Sequence, residues 1–175
     1  MNDTTTIADV FGGIEDPDAE PLTLHRFAPE EALTALPDFG DLIELWLARR
    51  GPAAVQDWGD FDFADFRGWH ASIILGSFES AEPDPTMRLV GQAFVDAAAA
   101  NAKGLRISEV TPLLYERQLK EHFRKIRDEG LIGLASGRTP FRDRGHIPMR
   151  ILELPFRHGG TAVVRTIHVL AKEDS

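Results

Sequence analysis

Apolar residues recur at helical spacing in the first third of the chain and at alternate positions in the last third. Pro29-Glu30-Glu31 opens a short helix, with proline at the first helical position and acids at the positive helix end. That helix stops near Leu36-Pro37, and Asp38 reads as the N-cap of a second. Phe39, Leu42, Ile43, Trp46 and Leu47 then form one apolar stripe, closed by Arg49-Arg50-Gly51. Residues 52–70 are irregular and rich in Asp, Trp and Phe. Ser72 to Gly76 reads as a strand, Glu82-Pro83-Asp84-Pro85 as a turn, and Thr86 to Gly91 as a second strand. Phe94 to Ala100 predicts a short helix, and Pro112 to Asp128 a longer one ended by Gly130. Three strands follow: Leu131 to Arg138, Pro148 to Pro155 and Thr161 to Ala171. The last two are joined by the hairpin turn Arg157-His158-Gly159-Gly160. The pattern predicts an α+β domain with an antiparallel sheet and helices in front.

The last strand puts Ala162, Val164, Thr166, His168 and Leu170 on one face and Val163, Arg165, Ile167 and Val169 on the other. Both faces are largely apolar, so both need cover. The internal helices suit one and the N-terminal helix the other. In the long helix Tyr115, Leu119, His122 and Ile126 fall on one stripe, with Phe123 beside them. These five, with His168, are the candidate ligand-pocket residues. Arg165 is the other residue of the last strand able to reach a cavity, or to pair with an acid of the N-terminal cap. The stripe Phe39, Leu42, Ile43, Trp46 and Leu47 is the candidate interface helix, and Phe141-Arg142, in a basic loop, a second contact candidate. Arg117, Arg124 and Lys125 extend that basic loop to a docking patch. Arg88 and Arg150 are expected on neighbouring strand positions, as a clamp for an anion or as edge charges.

Charge sharpens the division of the chain. Residues 1–87 carry 18 acids against 4 bases, while residues 88–175 carry 15 bases against 10 acids. The acidic front argues against a nucleic-acid binder. Residues 1–25 hold six acids and little periodicity and are read as a flexible tail, with N-terminal helices and lead-in over 26–70 and a core over 71–171. There is no cysteine, which removes disulfides, thiolate metal sites and Cys nucleophiles. No apolar run reaches the length of a membrane span and no signal peptide is legible, so a cytoplasmic location is expected.

Four stretches carry a resemblance: Leu45-Trp46-Leu47-Ala48-Arg49-Arg50-Gly51, Asp60-Phe61-Asp62-Phe63-Ala64-Asp65-Phe66, Met87-Arg88-Leu89-Val90-Gly91 with Lys103-Gly104-Leu105-Arg106-Ile107-Ser108-Glu109-Val110, and Ile151-Leu152-Glu153-Leu154-Pro155-Phe156 with its Gly hairpin. In this order they resemble the short, single-domain bacterial PAS proteins over about residues 40–170. Ala97 to Ala100 stand where that family has larger or polar residues, in the helix bordering the PAS cavity. The resemblance implies a PAS fold: a five-stranded antiparallel sheet, helices on one face and an N-terminal helical cap. It implies a sensor or interaction module rather than an enzyme. Such a module takes a small ligand or a protein partner; with no effector segment legible in the chain it is expected to act in trans, and the amphipathic N-terminal helix is the candidate element of a homodimer.

Without a thiol, no chromophore can be attached through cysteine. Haem, held by His122 of the long helix, is the sharpest cofactor idea, against a core histidine with one satisfied hydrogen bond. A cone-like α+β enzyme is the other alternative, and it needs a carboxylate beside His168. No serine sits in a nucleophile elbow, and no phosphate loop or metalloprotease motif is present. Asp57, Asp60, Asp62 and Asp65 lack the Gly and terminal Glu of a calcium loop and read as polar positions alternating with buried aromatics.

Overall fold

The structure, a computed structural model, describes residues 22–49, 55–139, 147–160 and 162–172. The alternating segments become strands of one open sheet: β1 (Thr23–Phe27), β2 (Gln56–Asp57), β3 (Ile73–Ser77), β4 (Thr86–Val90), β5 (Ile132–Arg138), β6 (Pro148–Arg157) and β7 (Val163–Leu170). The spatial order is β1-β5-β6-β7-β3-β4, all antiparallel, with β2 running parallel to the end of β6.

The sheet therefore has seven strands, not the expected five. The two additions satisfy backbone that five strands leave open. Thr23 to Phe27 pair with Ser136 to Ile132 along the outer edge of β5. Gln56 and Asp57 pair with Phe156 and Arg157, past the point where β5 leaves β6 at Glu153. Residues 23–25, grouped with the acidic tail by composition, are thus the start of an edge strand.

The helices are α1 (Pro29–Ala35), α2 (Gly40–Ala48), α3 (Gln92–Ala98), α4 (Ile107–Val110) and α5. Helix α5 runs through Pro112–Leu114, a π-helical turn Tyr115–Leu119 and Lys120–Glu129, ending at Gly130 with φ 65°. None of the described helices is long and apolar enough to cross a membrane.

Period 2 distributes the sheet between two layers. Ile73, Ile132, Leu134, Leu152, Leu154, Phe156, Ile167 and Val169 meet α1, α2 and the aromatic segment 55–69. Ile74, Ala135, Met149, Ile151, Glu153 and His168 face α3, α4 and α5. The stripe of α2 is spent inside its own chain. Phe39 and Ile43 are fully buried, and Leu42 and Trp46 nearly so, with the Trp46 indole N–H donating to the Pro155 carbonyl at 3.0 Å. Leu47, half-buried, packs on the same core. The stripe expected as a homodimer interface is thus covered within its own chain, because the sheet's second face needs it.

Asp38 does not cap α2; it pairs with Arg150 at 2.9 Å. The Asp-rich stretch does alternate with aromatics. Asp57 binds Arg157 at 2.9 Å and Asp65 binds Arg49, while Phe61 and Trp58 meet Phe156 edge-on at 5.1 and 5.2 Å. Phe63 is the exception, 46% exposed and stacked on His70.

Candidate functional site

Three alanines of the α3 region, Ala98, Ala100 and Ala102, leave space between that segment and the sheet. The result is a cavity of about 90 Å³, walled otherwise by apolar side chains such as Ile74, Met87, Phe94, Phe123 and Ile151. Two charged or titratable side chains reach its wall: Glu153 of β6 and His168 of β7. They are directly opposite each other in the β6–β7 register. Both are about 97% buried.

Behind them lies a chain of polar side chains. Glu153 Oε2 is hydrogen-bonded to Nε2 of His122, which is fully buried on α5. Its Oε1 lies 3.6 Å from His168 Nδ1. Thr166 Oγ1 is 2.8 Å from His168 Nε2, and Arg26 Nη1, from β1, is 3.3 Å from His122 Nδ1. Arginine can only donate, so His122 Nδ1 accepts and its Nε2–H points at Glu153. At His168 the Thr166 hydroxyl can donate to or accept from Nε2, so the tautomer is set from the other side: the ionised Glu153, which only accepts, faces Nδ1 and favours the hydrogen there. Each imidazole thus has its far nitrogen occupied and its near nitrogen facing the carboxylate, hydrogen-bonded to it in His122 and 3.6 Å from it in His168.

Burial pushes the Glu153 carboxyl up. The imidazoles of His122 and then His168, facing the carboxylate, more than reverse this and hold it at about 2, so the acid is ionised. A buried carboxylate without such donors would cost several kcal/mol, on the order of the penalty for any buried ion.

Two strand glycines make room for this cluster. Gly133 lies opposite Glu153, and a Cβ there would collide with Glu153 Oε2 and stand 2.9 Å from His122 Nε2. Gly76 lies opposite Thr166, and its Cβ would stand 2.5 Å from Thr166 Oγ1 and 3.1 Å from His168 Nε2.

Of the pocket residues expected from sequence, Leu119, Phe123 and His168 line the cavity. His122 stands behind Glu153, and Ile126 is core with no exposure. Tyr115 packs with Leu119 and Phe123 but outside the cavity wall. Its buried hydroxyl has no partner among the described residues, and burial, with Asp84 and Glu82 nearby, pushes its phenol up to about 12. The geometry does not offer His122 to haem iron. Both ring nitrogens are engaged, the ring lies outside the cavity wall, and about 90 Å³ is far below the roughly 300–1,000 Å³ of sites for larger ligands. Glu153 was not among the expected site residues. Its signal is a lone acid in the apolar run Ile151 to Phe156.

Other candidates are dispersed. Arg165 faces the α2 layer, its guanidinium 5.6 Å from the Trp58 ring centre. Arg88 and Arg150 are not neighbours: β3 and β7 separate their strands, and each pairs with its own acid, Glu79 and Asp38. Arg124 and Lys125 pair with Glu121 on the same helix, which neutralises the expected basic patch there. Phe141 and Arg142 lie outside the described residues. Outside the cavity an open groove of about 780 Å³ runs past α3 and the start of β6, and Met149 lines both spaces. No group of acids and histidines suited to a metal ion occurs among the described residues.

The connectivity Thr166–His168–Glu153 is that of a hydroxyl–imidazole–carboxylate relay. Thr166, however, is fully buried and outside the cavity wall, so its hydroxyl serves to orient His168 rather than to meet a substrate. Compared with protein-family models, curated proteins and solved structures, the chain gives no match.

Proposed function

We propose that this chain is a PAS-type sensory module whose input is a small molecule held between the sheet and helices α3 to α5. The observation that carries this reading is the apolar cavity of about 90 Å³ with a buried, ionised carboxylate and an imidazole at one end. The strand order supports it. Strands β3 to β7, taken alone, lie in the order β4-β3-β7-β6-β5, so the first and last of these five are central neighbours, as the PAS resemblance implies. The small helices and α5 are inserted between the second and third of the five and cover one face. The N-terminal helices cap the other.

A ligand acts as a signal only by binding two states unequally. The movable element is α3, which is short and carries the cavity's alanine wall. The test is amide hydrogen exchange of the full chain with and without pressurised xenon, a probe that fits a small apolar cavity. Slower exchange in α3 and in strand β6 at Met149 is expected. Xenon bound in the cavity with exchange unchanged outside it would sink the sensory reading.

A further inference from the structure

The polar end of the cavity has a definite hydrogen-bonding demand. On one side is Glu153 Oε1, a carboxylate oxygen whose nearest cluster partner, His168 Nδ1, lies at 3.6 Å, beyond a good hydrogen bond. On the other side is His168 Nδ1–H itself, the hydrogen favoured there by the facing carboxylate, with the Thr166 hydroxyl free to donate to Nε2. A single atom seated about 2.8 Å from each could bridge them, accepting from the imidazole and donating to the carboxylate. Among small polar groups a hydroxyl meets this demand. An ammonium has no lone pair to give the imidazole. A carboxylate has no hydrogen to give Glu153 and would set two anions together. A bare alkane leaves both groups as they are.

The rest of the wall is apolar except for Thr111, whose hydroxyl is already spent on the Ile107 carbonyl at 2.7 Å, so the ligand body is alkyl. Cavities of ~150 Å³ hold benzene, with its six heavy atoms, so a space of about 90 Å³ holds on the order of four. We propose that the cavity selects short alkyl alcohols, with the hydroxyl bridging Glu153 and His168 and the chain against Ile74, Met87 and Phe123. This rests on the cavity's being the input site, and it adds the chemical class of the input.

The experiment titrates the full chain with 1-propanol, n-propylamine and xenon, read by methyl NMR of Met87 and Ile74 and by the His168 imidazole signals. Saturable shifts with 1-propanol are expected, at least tenfold tighter than with n-propylamine, with the His168 Nδ1–H signal moving. In Glu153→Gln the preference for the alcohol over the amine falls at least threefold while xenon still binds. Should Glu153→Gln fail to fold, Thr166→Val gives the second variant: it frees His168 Nε2, lets the tautomer switch, and weakens propanol while sparing xenon. Ala98→Leu fills the space and removes propanol and xenon alike. Equal binding of alcohol and amine, or propanol binding untouched by both polar variants, overturns the hydroxyl assignment and leaves the cavity as input site. Absence of saturable shifts for all three probes overturns the cavity reading itself.

Discussion

The two faces of the sheet are built on opposite terms. The α1–α2 face is filled with large side chains: Trp46, Phe39, Phe66 and Phe156 are each at most 2% exposed and belong to one buried cluster. The α3–α5 face is walled by alanines, leaves open space and buries an ionised acid between two histidines. Both faces bury apolar side chains, so apolar burial alone does not distinguish them. The difference is that one face is optimised for packing, while the other keeps volume and partnered polar groups that packing does not need. Space and buried charge on one side of a sheet, with large packed side chains on the other, are the grounds on which the proposed site is assigned to the α3–α5 side.

The sharpest way to break this comparison is on the filled face. Trp46→Ala removes the largest fully buried side chain and its bond to the Pro155 carbonyl. Loss of about 3–5 kcal/mol is expected, as for other buried Trp truncations. Urea denaturation measures it, and sedimentation of the remaining folded protein should show no change of assembly state. A loss under ~1 kcal/mol with a change of size instead would restore the interface role of α2.

On the open face the corresponding test is pH. Glu153 falls from an ordinary 4.5 to about 2 in the folded chain. A depressed carboxyl gives stability that is complete above its unfolded value and lost as pH falls through the folded one. The loss therefore runs between about pH 4.5 and pH 2 and is on the order of 3 kcal/mol. Glu153→Gln should flatten that limb of the stability curve, and it should lower stability at pH 7. Gly133→Ala tests the same cluster sterically. Its Cβ displaces the Glu153–His122 bond and costs about 1–3 kcal/mol by overpacking. An unchanged acid limb in Glu153→Gln would mean that the cluster is not the reason the fold needs neutral pH.

These tests also mark what the sequence made legible. Strands β3 to β7 follow from period 2, and the cover on both sheet faces from apolar residues at both parities of the last strand. His122 and His168 stand out as polar residues on apolar stripes. Glu153 carries the same mark, a lone acid in Ile151 to Phe156, but its role depends on register. Only the pairing of Glu153 with both His168 and Gly133 turns three unremarkable residues into a cluster. Register is set by long-range strand pairing, which local pattern does not encode. Strand β1 was hidden for a related reason. Thr23-Leu24-His25-Arg26-Phe27 is short and half polar, and it becomes a strand because β5 offers an open edge.

Smaller effects separate the faces further. The side chain of Gln56, opposite Phe156, is fully buried, and neither amide atom has a partner among the described residues. A buried amide without partners costs ~1–3 kcal/mol. Gln56→Leu is therefore expected to raise stability by about 1 kcal/mol after some strain, measured by thermal melting. The polar side chains of the Glu153 cluster offer no such gain, because Glu153, His122 and His168 each make at least one hydrogen bond within it. A fall in stability for Gln56→Leu would mean that the amide is held by residues beyond those described.

The smallest effect compares two helix ends. Helix α5 stops at Gly130 in the left-handed conformation, φ 65° and ψ 31°, where glycine has no Cβ to strain. Helix α3 stops at Ala99 in nearly the same conformation, φ 57° and ψ 24°. For alanine this costs about 1 kcal/mol. Ala99 is the one non-glycine residue with positive φ in the described chain, and its neighbours Ala98 and Ala100 both line the cavity. Ala99→Gly relieves the strain but also loosens the unfolded chain, so a net gain of about 0.5 kcal/mol is expected in urea. The informative readout is cavity binding in the same variant. If the strained turn holds the alanine wall apart, Ala99→Gly weakens 1-propanol and xenon together by a few fold while the protein becomes more stable. If binding is unchanged, the strain is a local accident of the helix end, and the open face owes its space to alanine side chains alone.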